Sequence, residues 1–169
     1  QPVYSFARER ATRSGWAIKG RGGPGSPVWP RRPPRVREKI YSPFIIGVDA
    51  AKETIVTRLR LAEPGAGFCH FPLGRDVDFF RQLGSERRVR TWRKGVAVAE
   101  WKKDPAVRNE ALDCRVYAFG ALQGLIARGL RLADEAQRIG DMPILAEDDV
   151  PAPRSSPVRR TFRSSWLDG

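Results

Sequence analysis

A breaker-rich segment at residues 19–39 is the strongest constraint on how this chain folds. Its sequence, KGRGGPGSPVWPRRPPRVREK, contains nine glycines and prolines among 21 residues. Proline lacks the amide hydrogen that helices and central strands need, and glycine has a large entropic cost in either element. The composition therefore predicts a long loop or arm without regular structure. Upstream of it, we expect an amphipathic helix over residues 1–13 and a short strand over 16–18.

Positive charge is concentrated in the same part of the chain. The sequence has 31 lysines and arginines against 19 acidic residues, which gives a formal net charge of +12. Ten of the basic residues and only two acidic ones precede residue 40. Such an uneven positive field suits a polyanion such as the phosphate backbone of DNA. No apolar run approaches the roughly 20 residues of a membrane-spanning helix, so we expect no membrane partner.

The cysteines and the single histidine do not indicate a soft-metal site. Two cysteines, Cys69 and Cys114, are too few for a disulfide framework or a cysteine-based metal centre. Their apolar neighbours predict buried, reduced thiols, which favours a cytoplasmic location. His70 has no second histidine or cysteine at ligand spacing, and we interpret it as structural.

The remaining pattern alternates between strands and helices and predicts the mixed α/β class. The expected elements are a strand over 41–48, a helix capped by Asp49, a strand over 68–71, a helix over 75–83, a hairpin over 89–101 that turns at Lys94 and Gly95, and a helix over 109–128 capped by Asn109. The last helix has an apolar stripe of Leu112, Val116, Phe119, Gln123 and Ile126. Residues 133–169 are rich in proline, serine and arginine, which predicts a flexible, disordered tail.

Two carboxylates begin the last predicted helix, in the segment RNEALDCRVYA. Glu110 and Asp113 are three residues apart, so both lie on one face of the first turn. Acidic residues are favoured there by the helix dipole, which is sufficient to explain the pair. Two such carboxylates can also hold a hard cation such as Mg²⁺ or Mn²⁺ against a phosphate. Spacing alone leaves both interpretations open.

The tryptophans have two interpretations. Trp29 lies among prolines and arginines, where it could stack on nucleic-acid bases. Trp92 and Trp101 lie at alternating positions of the predicted hairpin, where we expect them to pack inward.

Several segments together resemble the C-terminal part of GpA-type large subunits of tailed-bacteriophage terminases. They are AIKGRGGPG, FIIGVDAAKETI, PGAGFCHFP, FFRQLGSE, VAEWKK and RNEALDCRVYAFGAL, in that order. The resemblance covers residues 3–125, and it is specific because many unusual segments recur rather than one short motif.

The resemblance implies an RNase H-like nuclease domain, in which a mixed sheet is flanked by helices. Its acidic residues would hold two Mg²⁺ or Mn²⁺ ions for phosphodiester hydrolysis, with Glu110 as the first choice for the last acid and Asp113 as the second. The first acids of that arrangement would precede Gln1, and the ATP-driven motor would lie outside the chain. We therefore expect residues 1–132 to be an incomplete nuclease portion that is inactive alone.

The resemblance also implies partners. We expect double-stranded DNA, the terminase small subunit and the portal protein. A separate hypothesis is that the basic tail at residues 154–166 docks a protein partner such as the portal. The residues that we expect to contact DNA are Lys19, Arg21, Arg31, Arg32, Arg35, Arg37, Lys52 and Arg108. The alternative function is a non-catalytic DNA-binding or structural module in which the acidic pair only caps a helix.

Overall fold

The computed structural model describes residues 2–33 and 42–143. Its elements are α1 (Pro2–Glu9), a 3₁₀ turn (Ala11–Arg13), β1 (Ile18–Arg21), β2 (Phe44–Gly47), α2 (Val48–Leu59), α3 (Val77–Leu83), β3 (Glu86–Arg93), β4 (Val96–Lys103), α4 (Glu110–Ala127) and α5 (Leu132–Gly140). The predicted mixed α/β class is confirmed. The chain divides into two compact units, residues 1–130 and residues 131–169.

The start of the breaker-rich segment forms a strand, so the prediction of an unstructured arm was wrong there. β1 pairs in parallel with β2, from Ile18 opposite Phe44 to Arg21 opposite Gly47. The one glycine within β1 has a packing role, because a Cβ on Gly20 would lie 2.7 Å from Val48 Cγ2. The glycine that signalled a break in the sequence therefore permits close packing of a strand against its neighbours.

The expected single mixed sheet is replaced, in the described ranges, by two separate two-stranded sheets. One is the parallel pair β1–β2, and the other is the antiparallel hairpin β3–β4. Residues 68–71, which we predicted to be a strand, have no regular secondary structure. Phe71 packs instead edge-to-face on Phe79 and Phe80 of α3, with ring centroids 6.1 and 5.2 Å apart. Apolar content alone did not distinguish a strand from a loop anchored by one aromatic ring.

The hairpin turns where the sequence predicted. Lys94 and Gly95 connect the strands and have φ values of 50° and 77°. Two successive positive φ angles are typical of the tight turns whose twist matches that of an antiparallel pair. Trp92, near this turn, is 72 % exposed, so our expectation that it packs inward was wrong.

The core lies between α4 and the helices α2 and α3. Leu112 and Val116 of α4 are fully buried and pack with Ala51 and Ile55 of α2 and Leu83 of α3. Each of these side chains is apolar and removed from water, which is the main source of folding free energy.

The buried stripe of α4 differs from the predicted one in its second half. It continues through Gly120 and Gly124, while Phe119, Gln123 and Ile126 are only partly buried. The glycines are buried because bulky neighbours approach the helix backbone at these positions: Ile46 at Gly120, and Trp16 and Trp29 at Gly124. A pattern based on large apolar residues does not reveal such a contact.

Trp29 belongs to a partly buried aromatic cluster. Its ring stacks on Phe44 at a centroid distance of 4.6 Å and lies 5.0 Å from the ring of Trp16. The ring that we suggested as a stacking platform for bases therefore packs against other rings of the fold.

Gly124→Ala is expected to lower the free energy of unfolding by about 1–3 kcal/mol, the usual cost of overpacking. The added Cβ would lie 2.8 Å from the rings of both Trp16 and Trp29, which are held by each other and by Phe44. Chemical unfolding followed by tryptophan fluorescence measures the change. Gly120→Ala is the matched control, because its Cβ would meet a single terminal methyl group, Cδ1 of Ile46, at 3.1 Å. A Gly124→Ala variant as stable as the parent would contradict this packing.

The region that we expected to be a flexible tail begins with a helix. Residues 132–140 form α5, whose Leu132 and Ile139 are exposed. The rest of the predicted tail, residues 144–169, lies outside the described residues, and so does the basic stretch at 154–166. No helix in the described ranges is long and apolar enough to cross a membrane.

Candidate active site

The start of α4 is held beside the start of β3 by backbone contacts. The Asp104 N–H donates to the Ser85 carbonyl, and the Asp104 carboxylate in turn accepts from the Ala106 N–H. This short loop brings the N-terminal end of α4 next to Glu86, the first residue of β3. One acidic residue of α4, Asp113, therefore lies near an acidic residue that precedes it by more than 20 positions.

Asn109 joins two carboxylates at this place. Asn109 is the N-cap residue of α4, as predicted, but its side chain makes no capping hydrogen bond. Its amide Nδ2 instead donates to Glu86 Oε1 at 3.0 Å and to Asp113 Oδ2 at 3.1 Å. Both amide hydrogens are thus used, and the two carboxylates converge on one nitrogen.

Lys52 supplies the positive charge that balances this group. Its Nζ lies 2.6 Å from Glu86 Oε2, and the side chains of Lys52 and Glu86 are only 10 % and 6 % exposed. We expected Lys52 to contact DNA, but its ammonium group is buried against a carboxylate. Lys52, Glu86, Asn109 and Asp113 form one connected polar group, which we call the Lys52–Asp113 network.

Glu110 lies outside this network, although it shares the first turn of α4 with Asp113. Its Oε1 accepts from Arg108 Nε at 2.9 Å and lies 2.8 Å from Arg108 Nη2. The hydrogen bond from Arg108 lowers the pKa of Glu110, and the same pair raises the pKa of Arg108. Glu110 therefore keeps its negative charge at pH values where an ordinary glutamate begins to be protonated. Because the pair is exposed, it contributes little to stability.

The described residues do not form a complete metal centre. The carboxylates of Asp113 and Glu86 are hard oxygen donors of the kind that Mg²⁺ and Mn²⁺ prefer. Within residues 2–33 and 42–143, however, no group of three or more histidine, cysteine, aspartate or glutamate side chains could hold one metal ion. The donor chemistry suits the metal that the sequence led us to expect, while the number of donors in the described ranges does not.

Asp49 serves a different role from the N-cap that we predicted. The N-cap of α2 is Gly47, and Asp49 lies in the first turn. The Asp49 carboxylate accepts a hydrogen bond of 2.9 Å from the Gly23 N–H. It therefore ties the glycine-rich loop to α2.

The basic residues that we expected to contact DNA fall into three groups. Lys19, Arg21, Arg31 and Arg32 are exposed, and Arg108 is exposed but paired with Glu110. Lys52 is buried in the network above. The positions of Arg35 and Arg37 are outside the described residues.

Neither Glu86 nor the role of Asn109 in linking two carboxylates was predicted from the sequence. Glu86 stands before a run of arginines in SERRVR, with no periodic or motif signal to distinguish it from a surface residue.

The prediction of two buried thiols was wrong for Cys114, which is exposed. Cys69 is partly buried, and its Sγ accepts a hydrogen bond from Arg115 Nη2 at 3.2 Å. The ring of His70 lies edge-to-face on Phe68 at 4.8 Å.

Comparison with known proteins identifies the family. Residues 1–135 match the profile of the terminase large subunit gpA endonuclease domain. The chain is 38 % identical over 133 residues to the terminase large subunit of Escherichia phage lambda, an alignment that covers 75 % of this chain and 20 % of that protein. It is 30 % identical over 136 residues to the terminase large subunit of Enterobacteria phage P21, covering 75 % of this chain and 21 % of the relative.

The match covers most of this chain but a small part of its relatives. The chain spans about a fifth of the length of the curated relatives that it matches. No solved structure matches it. The extent of the profile match nevertheless decides the family: this chain belongs to the endonuclease domains of gpA-type terminase large subunits.

Proposed function

We propose that this chain forms the downstream part of a metal-dependent endonuclease domain that cuts concatemeric double-stranded DNA during phage genome packaging. The family match supports endonuclease chemistry. The observation that carries the proposal further is the convergence of Asp113 and Glu86 on Asn109, which keeps one acid of α4 in a fixed, partly buried position. We also propose that the complete domain is RNase H-like.

Glu110 and Asp113 are the proposed catalytic and metal-binding residues of this chain. Asp113 is held by Asn109, and Glu110 is kept ionised by Arg108. When bound, Mg²⁺ or Mn²⁺ would polarise the scissile phosphate and activate the attacking water. We propose that other parts of the terminase supply the remaining ligands, because two carboxylates are fewer than a two-metal site uses.

The proposed DNA contacts are cations of the N-terminal part, and those within the described residues are exposed. They are Lys19, Arg21, Arg31, Arg32, Arg35 and Arg37, together with Arg108 beside Glu110. Lys52 is left out of this set because its ammonium group is buried against Glu86. Cations of this kind neutralise phosphates without reading sequence, and they hold the duplex near the acidic residues.

The partners and location that we propose rest on the family. They are the terminase small subunit, the portal protein, an ATP-driven motor in another part of the large subunit, and the cytoplasm of the host cell. The basic stretch at 154–166 is the proposed portal contact.

A Mn²⁺ titration of this chain, followed by the electron paramagnetic resonance signal of free Mn²⁺, tests the acidic pair. Glu110→Gln and Asp113→Asn are each expected to weaken Mn²⁺ binding at least about tenfold. This is the smallest loss of affinity expected when even a residue that only orients a metal ligand is removed. Glu135→Gln is the matched control, because Glu135 also lies in the first turn of a helix and is also paired with an arginine. Its Mn²⁺ affinity is expected to equal that of the parent chain.

A non-catalytic DNA-binding module is the second candidate function. The pairing of Glu110 with Arg108, and the lack of a three-residue ligand group within the described ranges, favour it. Mn²⁺ binding that is unchanged in both Glu110→Gln and Asp113→Asn would support this function and contradict the first.

A further inference from the structure

A second charged region lies in a groove between the C-terminal end of α3 and the base of the hairpin. The groove has a volume of about 1070 Å³. Its walls carry four cations: Arg81, Arg87, Lys102 and Lys103. Its two acidic residues are already engaged, since Glu86 is paired with Lys52, and Asp104 accepts from the Ala106 N–H. The groove therefore has a net positive charge.

Two of these cations face each other across the hairpin. Arg87 of β3 is the direct cross-strand partner of Lys102 of β4. Like charges directly opposite each other destabilise an antiparallel pair. This is the one like-charged cross-strand pair of the hairpin, in which the next pair along the strand, Glu86 and Lys103, has opposite charges.

The cations of this pair differ from Arg88 and Arg93 on the same strand. Arg88 pairs with Glu53 of α2, and Arg93 pairs with Glu100 of β4. Within the part of the chain that the structure describes, neither Arg87 nor Lys102 has an acidic partner. An anion bound between them would remove the repulsion that the bare pair creates.

One residue that lines the same groove, Ser85, carries a hydroxyl without a partner. Ser85 is only 7 % exposed, and its Oγ is the one buried side-chain polar atom in the described ranges that lacks a hydrogen-bond partner. Buried polar atoms almost always have a partner, and a hydroxyl can donate to an anionic oxygen. Ser85 is thus a second, independent observation that points to an anionic ligand here.

The groove also adjoins the candidate active site. Glu86 lines the groove and belongs to the Lys52–Asp113 network. Lys103 lies close enough to Glu110 for its charge to act on that carboxylate. A phosphate in the groove would therefore lie beside the acidic residues to which the cleavage reaction is attributed.

We infer that this groove binds the sugar-phosphate backbone of duplex DNA, with Arg87 and Lys102 contacting a phosphate between them. The choice of duplex DNA as the ligand rests on the proposed function. The site itself is distinct from the basic residues of the N-terminal part. None of its four cations was among the DNA contacts that we predicted from the sequence.

Binding of the full chain to a short fluorescent DNA duplex, measured in EDTA over a series of salt concentrations, tests the inference. Each phosphate contact contributes about 0.9 to the slope of log affinity against log salt concentration. The double variant Arg87→Ala/Lys102→Ala removes both cations of one shared phosphate and is therefore expected to lose about one unit of slope. The matched control, Arg88→Ala/Arg93→Ala, removes the same charge from cations that already have acidic partners, and its slope is expected to stay close to that of the parent.

Three outcomes would contradict the inference that this groove binds DNA. They are a parent-like slope in Arg87→Ala/Lys102→Ala, an equal loss in both double variants, and a duplex affinity that does not depend on salt in the parent chain. In the first two cases the parent still binds DNA, so only the assignment of DNA binding to this groove is contradicted, and the proposed function stands. In the third, the DNA part of the proposed function fails as well.

A single charge reversal separates binding from folding. Arg87→Glu would place opposite charges at the cross-strand pair with Lys102, so its melting temperature is expected to equal or exceed that of the parent while its duplex affinity falls. A lower melting temperature in Arg87→Glu would show that Arg87 is needed for the fold, and it would contradict the inference.

Discussion

Replacing Lys52 by methionine is expected to lower the free energy of unfolding by about 3–5 kcal/mol, because it leaves a buried carboxylate without its counter-ion. Glu86 is only 6 % exposed, and Lys52 Nζ lies 2.6 Å from it. Asn109 donates to the other oxygen of Glu86, but an amide hydrogen bond does not supply a full positive charge. Urea unfolding followed by circular dichroism measures the loss.

The double variant Lys52→Met/Glu86→Gln is the control for this experiment. Glutamine keeps an acceptor for Asn109 and removes the buried charge, so most of the lost stability is expected to return. DNA binding by the same variant separates the two roles of Lys52. If Lys52 contacted DNA, as the sequence suggested, Lys52→Met would weaken the salt dependence of DNA binding and leave the free energy of unfolding unchanged. A Lys52→Met variant that is as stable as the parent would contradict the buried pair.

Asp113→Asn, placed in a terminase large subunit that contains this segment, is expected to lower Mn²⁺-dependent DNA cleavage by about 10–100-fold or more. Asparagine keeps an oxygen that can accept from Asn109, so the start of α4 should remain in place. The charge that would attract a divalent cation is lost. The reduced cleavage is therefore expected without a matching loss of stability.

Nicking of supercoiled plasmid at fixed Mn²⁺ concentration measures this effect, with the melting temperature recorded for each variant. Asp113→Glu, which keeps the charge, is expected to retain more cleavage than Asp113→Asn. Asp134→Asn is the matched control, since Asp134 lies in the first turn of α5 and is exposed. Parent-like cleavage by Asp113→Asn would remove Asp113 from the proposed catalytic residues.

Several elements could be predicted from short-range patterns. The turn at Lys94 and Gly95 was predicted because glycine, flanked by residues that favour strands, marks a tight hairpin. The helix from Glu110 to Ala127 was predicted from the spacing of its first buried residues, Leu112 and Val116. Both signals depend on neighbours within one turn of the chain, where local geometry limits the alternatives.

The prediction failed where a distant residue decided the outcome. β1 became a strand because β2, more than 20 residues later, provides its hydrogen-bonding partner. Gly20 was a signal for a loop in the sequence, and Gly124 gave no signal within the predicted helix, yet both lie where neighbouring side chains approach the backbone. The predicted strand at 68–71 has no partner in the described ranges, and its apolar side chains could not create one.

The functional assignments divide in the same way. The sequence by itself determined the family, the excess positive charge, and the presence of Glu110 and Asp113 at a helix start, because these depend on residue identity and local spacing. Only the tertiary structure decided that Lys52 neutralises Glu86, that Asn109 links Glu86 to Asp113, and that Arg87 and Lys102 face a groove. The physical reason is that burial and the nearest opposite charge decide whether a charged side chain can bind a ligand. For Lys52 that opposite charge is Glu86, which lies 34 positions away along the chain.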